Sequence, residues 1–285
     1  MMAGKLYLCA TPIGNLEDVT LRVLRILEEV DVIAAEDTRQ TIKLLNHFNI
    51  KTPLTSYHEH NKDTKTQVLV NRLLAGENIA EVSDAGTPGV SDPGEDLARA
   101  AFEAGIEVTS LPGATAVITA VVLSGLSTRR FAFEGFLPVD KKDREMVLSE
   151  LKESTRTTVF YEAPHRLRKT LKELGSVIEG GRRIAVCKEL TKKHEKILHT
   201  TLEGAVSHFE QEEPRGEYVL VIDGKTRAMK EKESQEAWSI LSIPEHMEHY
   251  ISQGMDKKEA MKAVAKDRGV PKREIYQYII QKEQR

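Results

Sequence analysis

The chain has 285 residues, 40% of them hydrophobic, 30% charged and 5% aromatic, with a formal net charge of -3. That balance excludes a collagen-like, a disordered and a membrane-embedded protein, and predicts two compact domains with room for an appendage. Two cysteines, Cys9 and Cys187, are too few for a disulfide scaffold or a cysteine-held zinc site and suit a reducing compartment.

Along the chain, the first fifteen residues carry a short apolar run broken at Pro12 and Gly14, without the long apolar segment of a signal peptide. The longest apolar run, residues 114–123, is shorter than the roughly 18 residues of a membrane span. The expectation is a cytoplasmic protein with no membrane partner. Residues 5–10 read as a buried strand ending in the turn-forming cluster Thr11-Pro12-Ile13-Gly14-Asn15. Thr20 can cap a helix with the stripe Val23, Ile26, Leu27 and Val30, and residues 32–35 form a second strand that ends at Glu36-Asp37-Thr38-Arg39. Further strands are predicted at 54–57, 79–82 and 108–111. Between them lie helices marked by Leu44, Leu45 and Phe48, by residues 68–74, and by Leu97, Ala98, Ala101 and Phe102 ahead of Gly105.

Strands alternating with helices imply a mostly parallel sheet covered on both faces, with ligands outside the carboxyl ends of the strands. That rule gathers the loops 11–15, 36–39, 58–61, 83–94 and 112–115. After a helix at 114–123, strands near 132–136, 157–161, 184–187, 197–201 and 218–222 suggest a second, mixed sheet. Residues 225–236 turn charged and read as a linker. In the tail, Asp256 can cap a helix presenting Ala260, Met261, Val264 and Ala265, and Gly269-Val270-Pro271 turns into Ile275, Tyr278 and Ile279. This spacing fits a helix-turn-helix and equally a plain helical hairpin. Residues 256–285 hold nine Lys or Arg against five Asp or Glu and residues 225–255 four against five, which leaves residues 1–224 at -6. The basic end is the one that attracts a polyanion, though a solvated charged helix has the same composition.

The strongest local motif is Ser83-Asp84-Ala85-Gly86-Thr87-Pro88-Gly89-Val90-Ser91-Asp92-Pro93-Gly94, in which glycines let backbone approach a ligand and prolines stiffen the loop. An ordinary tight connection is the alternative. The motif matches neither dinucleotide nor phosphate-loop spacing, so nucleoside triphosphate chemistry is not expected. Leu111-Pro112-Gly113-Ala114-Thr115-Ala116 is a second strand-to-helix loop of small residues, and Phe160-Tyr161-Glu162-Ala163-Pro164-His165-Arg166 and Pro214-Arg215-Gly216-Glu217 flank second-domain strands. The pairs His58 with His60 and His246 with His249 lack metal-site context and are read as solvent-exposed; no metal is expected.

In this order these motifs, with Lys188-Glu189-Leu190-Thr191-Lys192, resemble the bacterial 16S ribosomal RNA cytidine 2'-O-methyltransferases of the tetrapyrrole methylase superfamily. The resemblance runs from about Gly4 to Gly224 and extends to the tail. It implies two α/β domains of the tetrapyrrole methylase type, a parallel-sheet domain at 1–112 and a mixed-sheet domain at 113–224, followed by a linker and helix-turn-helix-like tail at 225–285. It also implies a homodimer, S-adenosylmethionine (S-adenosyl-L-methionine) held between the domains, and 2'-O-methylation of a cytidine in 16S ribosomal RNA of the small ribosomal subunit. By position in the matching motifs, Pro12, Asp84, Gly86, Thr87, Val90, Ala114, Thr115, Tyr161 and Gly216 are the cofactor candidates. Related tetrapyrrole methylases carry Gly-Asp-Pro where this chain has Gly86-Thr87-Pro88, which argues against a tetrapyrrole substrate. A hydroxyl is a weak nucleophile, so a carboxylate or neutral amine must take its proton. Glu36 and Asp37 in the first domain, and Lys188 and Glu189 in the second, follow or end strands at the expected cleft edge, with Glu36 the first choice and an ion-paired or capping carboxylate the alternative. A tetrapyrrole-type small-molecule methyltransferase and a non-catalytic helix-turn-helix nucleic-acid binder stay as competing functions.

Overall fold

The computed structural model describes residues 2–283 and comprises two compact units, Met1–Asp223 and Gly224–Arg285. In the first unit, β1 (Lys5–Cys9), β2 (Val32–Ala35), β3 (Leu54–Ser56), β4 (Ile79–Val82) and β5 (Glu107–Leu111) form an all-parallel sheet in the order β3-β2-β4-β1-β5. Helices α1 (Leu21–Glu29), α2 (Thr38–His47), α3 (Lys62–Leu74) and α4 (Gly94–Glu103) make the crossovers that parallel neighbours require. β2 and β4 are buried along their whole length, hence their nearly unbroken apolar sequences. The exception is Glu81, fully buried in the middle of β4.

The predicted caps hold: Thr20 Oγ1 accepts from the Val23 amide at 3.2 Å and starts α1, whose buried face is Val23, Ile26 and Leu27. In α4 the predicted stripe is buried at Leu97, Ala98 and Ala101, but Phe102 is 64% exposed. One residue beyond Ala101 lies about 100° further round the helix, off the core-facing stripe.

α5 (Ala116–Leu123) follows β5 but packs on the second sheet, against β7 (Thr157–Glu162) and β10 (Tyr218–Ile222). That sheet, completed by β6 (Phe131–Phe136), β8 (Arg183–Lys188) and β9 (Lys196–Thr201), has the order β6-β7-β10-β8-β9. Its β6–β7 pair is parallel and the remaining pairs antiparallel, the mixed sheet the spacing predicted. α6 (Lys141–Glu153), α7 (Pro164–Val177) and α8 (Leu202–Gln211) complete this half. Their apolar side chains close one core on Phe160, Leu171, Leu202 and Leu220. On the sheet's other face Val117, Ala120 and Val121 of α5 join Val159, Cys187 and Val221, with Ile13 and Val90 from the first sheet's loops at the edge. That shared apolar layer sets the loops of one sheet against the strand ends of the other.

The second unit contains α9 (Arg227–Ser239), α10 (Ile243–Ile251), α11 (Lys257–Asp267) and α12 (Lys272–Glu283). Most of the stretch expected as a linker is therefore helix. α9 buries none of its residues, so it shows no apolar stripe. It is supported by the Thr226 cap and by Arg227–Glu231 and Lys232–Glu236 pairs one turn apart. Asp256 caps α11 as predicted, accepting from the Lys258 and Glu259 amides at 2.8 Å each. Ala260, Met261, Val264, Ala265 and Ile275 form the unit's core with Met247, while Tyr278 is 38% exposed, off that core. His246, expected at the surface, is fully buried. It stacks on Trp238 with ring centroids 4.0 Å apart and accepts from Arg268 Nε on Nδ1 at 3.1 Å, contacts that only the tertiary fold supplies. No helix among the described residues is long and apolar enough to cross a membrane.

Candidate active site

The loop after β4 bends back on the loop after β1. Gly86 and Thr11 exchange both backbone hydrogen bonds, at 2.9 and 3.1 Å. Gly86 has φ +87°, and a β-carbon there would lie 3.1 Å from Ile13 Cγ2 and 3.3 Å from the Ala114 carbonyl, so glycine is what this crossing of three loops permits. Asp92 organises the rest of the loop: Oδ1 accepts from the Gly89 and Gly94 amides at 2.8 and 2.9 Å, and Oδ2 from Val90 at 3.1 Å. Ser91 beside it is held at φ +72°, and across the cleft Glu189 and Thr191 stand at +52° and +64°. Left-handed non-glycine backbone of this kind clusters where surroundings impose it.

Between this loop and the ends of β6, β7 and β8 lies a cleft of about 550 Å³. Of the sequence candidates it brings together Glu36, Asp84, Val90 and Tyr161. The Asp84 amide donates to Glu36 Oε2 at 3.0 Å. Burial pushes the Glu36 carboxyl above its ordinary value; the Asp84 amide pulls it down, and the carboxylates of Asp84, Asp92 and Glu59 add to the rise. Asp84 is likewise raised by burial and then by Asp37. Tyr161 stands edge-on to Phe133 and Phe136, at 4.8 and 5.8 Å between centroids, giving the cleft an aromatic wall. Cys187 and Leu190 line it from the second sheet, and burial pushes the Cys187 thiol up to about 12.

The other candidates lie elsewhere. Asp37 caps α2 and is bound by Arg39, whose guanidinium holds its carboxyl down at about 2. Pro12 lines a separate, smaller cleft. The Thr87 hydroxyl meets the Ala114 carbonyl at 3.1 Å and Thr115 Oγ1 at 2.7 Å, so both threonines tie the 83–94 loop to the start of α5. Gly216, at φ +81°, runs against the Glu189 side chain, and Glu189 Oε1 accepts from the Glu217 amide at 2.9 Å, which positions Glu217 at the cleft. Lys188 sits 3.7 Å from Glu212 with its ammonium over the Tyr218 ring, outside the lining of the larger cleft. Residues not singled out as candidates are Asp92, Phe136, Cys187 and Leu190. Asp92 had a readable signal, an aspartate before Pro93-Gly94 with open backbone donors around it.

The charged lining is one-sided. Glu36, Asp84, Asp92, Glu162 and Glu217 face this cleft together with one imidazole, His165, and among the described residues no lysine or arginine lines it. Glu162 is partly neutralised by Arg166, 3.7 Å away, and accepts from Thr170 at 2.5 Å. A cationic group beside an aromatic or purine-like ring is the ligand such a wall accepts, and a phosphate is the ligand it rejects. The donor set therefore fits a sulfonium-bearing nucleoside. Among the described residues no group of three or more His, Cys, Asp or Glu is placed to hold a metal ion.

The family model for Tetrapyrrole (Corrin/Porphyrin) Methylases matches residues 5–206. The chain is 52% identical over 273 residues to a ribosomal RNA small subunit methyltransferase I of Halalkalibacterium halodurans, covering 96% of this chain and 93% of that one. It is 45% identical over 222 residues to the Thermotoga maritima protein of the same name, covering 78% of this chain and 99% of that relative. About a fifth of this chain lies outside that match. In fold, the chain is similar to a uroporphyrin-III C-methyltransferase from Thermus thermophilus complexed with S-adenyl homocysteine, with a TM-score of 0.56 at 19% identity, covering 77% of this chain and 97% of that one. On the matched family model and on identity over nearly its whole length, the chain belongs to the ribosomal RNA small subunit methyltransferase I family of tetrapyrrole methylases.

Proposed function

We propose that this protein transfers a methyl group from S-adenosylmethionine to ribosomal RNA of the small subunit, at the 2'-oxygen of a cytidine in 16S RNA, in the cytoplasm. The observation that carries the reading is the carboxylate-rich cleft between the two sheets, in a chain of this family. Asp84, Val90 and Tyr161 would hold the donor, with Gly86, Thr87, Ala114 and Thr115 fixing the loops behind them. When bound, the donor supplies a methyl group made electrophilic by its sulfonium. The rigid, proline-stiffened loop limits motion along the line of attack, where most of the acceleration of a displacement resides. Glu36 then takes the acceptor hydroxyl's proton on its carboxylate as the new bond forms. Its burial makes that carboxylate a stronger base than an exposed one.

A homodimer belongs to the same reading. α5 buries Val117, Ala120 and Val121 but leaves Ile118 and Val122 49% and 68% exposed on its outward side. An apolar stripe on a helix already apolar all round suits a second copy.

Labelled S-adenosylmethionine incubated with undermethylated small subunits, with a tetrapyrrole and with duplex DNA tests the function; label is expected in the subunits alone. Removing residues 224–285 is expected to weaken subunit binding while leaving methyl transfer detectable and donor affinity unchanged. The basic tail offers electrostatic attraction to a body otherwise repelled by RNA. Equal loss of subunit and donor binding would contradict that division. Gly86→Val should weaken donor binding by about tenfold and lower stability by about 1–2 kcal/mol, because a β-branched residue is forced into left-handed backbone. Calorimetric titration and thermal melting read both quantities.

A further inference from the structure

On the other side of Asp84 a second cleft of about 320 Å³ opens between the loop after β1 and helix α2. Pro12 and Gly14 form one wall, and Gln40, Lys43 and His47 form the other. These α2 residues stand at i, i+3 and i+7, on one face of the helix. The Lys43 ammonium donates to Gln40 Oε1 at 3.0 Å and pairs with no carboxylate among the described residues. Thr11 and Ser83, each 5% exposed, also line the cleft, and the hydroxyl of each lacks a hydrogen-bond partner.

The two clefts are opposite in character and share Ser83 and Asp84. The larger one has carboxylates and an aromatic wall. The smaller has a lysine, Lys43, and a side-chain amide, Gln40, that the larger lacks, beside an imidazole and two unspent hydroxyls, the groups that hold phosphate and sugar oxygens. Its volume is at the lower end for ligand pockets, suited to one nucleotide-sized group and not to a macrocycle.

We propose that the smaller cleft is the acceptor site and takes one nucleotide of an RNA strand, its phosphate against Lys43 and His47 and its sugar toward Asp84. This rests on the reading of the protein as an RNA methyltransferase. Donor and acceptor then meet at Ser83 and Asp84, the residues that line both clefts. The site lies wholly within the first unit.

The test is the double variant Lys43→Ala/His47→Ala of the full chain, with undermethylated small subunits as substrate and S-adenosylmethionine as donor. The expected result is a KM for subunits raised by about tenfold, with donor affinity unchanged by calorimetry. The salt dependence of subunit binding should become shallower by about 0.7 in log–log slope for each lost phosphate contact. Lys43→Arg should keep most of the affinity. An unchanged KM and salt slope in the double variant would overturn the proposal, as would a loss of donor affinity, which would make this cleft part of the donor site. A wild-type protein that transfers no methyl group to subunits would refute the functional reading itself. Equilibrium binding of the same subunits, measured in parallel, still decides whether Lys43 and His47 contact them.

Discussion

Glu36→Gln is expected to lower the methyl-transfer rate constant by about 10²- to 10⁴-fold, the range for losing a positioned general base, with donor affinity little changed. The amide keeps the shape of the side chain and an oxygen for the Asp84 amide, which now donates to Glu36 Oε2 at 3.0 Å, so the loop stays in place. What is lost is proton affinity. In the parent protein the rate should climb with pH through the raised Glu36 pKa, because only the carboxylate accepts the proton, and burial sets that pKa above an ordinary glutamate's. Asp84 shares the surroundings and is raised as well, so the acidic limb reports the two carboxyls titrating together. In the variant this limb should flatten. Single-turnover rates across the acidic range measure both effects; a full rate in Glu36→Gln at unchanged donor affinity would remove the base from Glu36.

Glu81→Gln is expected to stabilise the protein, and increasingly so as pH rises. Glu81 is completely buried in β4, and neither carboxyl oxygen has a hydrogen-bond partner. Burial first, then the charges of Asp92 and Glu36, push its pKa well above the ordinary value. The folded state therefore binds a proton that the unfolded chain has already released above its own pKa. Stability contributed by the neutral carboxyl is fully present below the unfolded value and falls as pH rises toward the folded one. Glutamine has no proton to lose. Melting curves should nearly coincide at pH 5, and at pH 8 the variant should be more stable by about 1–3 kcal/mol, because each pH unit between the unfolded and folded pKa values costs the parent about 1.4 kcal/mol. For a protein of this size that is about 2–4 °C in Tm per kcal/mol. A gain equal at both pH values would mean that Glu81 is ionised throughout. Gly94 belongs to the same pocket, since a β-carbon there would lie 2.8 Å from Glu81 Oε2 and from Asp92 Oδ1.

The first sheet was legible because its signals are local. Buried parallel strands give unbroken apolar runs, Thr20 is a helix start, and Gly86 marks a turn wherever the rest of the chain goes. Glu36 could be placed at a cleft edge because strand ends in an α/β sheet share one rim. The opposite wall was not legible. Phe136, Cys187 and Leu190 reach the cleft only because α5 folds onto the second sheet, a packing decided by Val117 and Val121 meeting Val159 and Val221 far along the chain. For the same reason a motif could not say on which side of Asp84 Pro12 would fall. α9 escaped because a helix without buried residues has no periodicity to read, and His246 escaped because its partners Trp238 and Arg268 come from separate elements.

Cys187 in the cleft wall has a consequence for the protein's own survival. A sulfonium methylates a thiolate more readily than an alcohol, so a reactive cysteine next to the donor would consume it and scar the enzyme. Burial pushes its thiol up to about 12, so at neutral pH Cys187 is the protonated thiol and not the nucleophilic anion. In the proposed donor site, that apolar packing from the second sheet would spare the enzyme from alkylating itself.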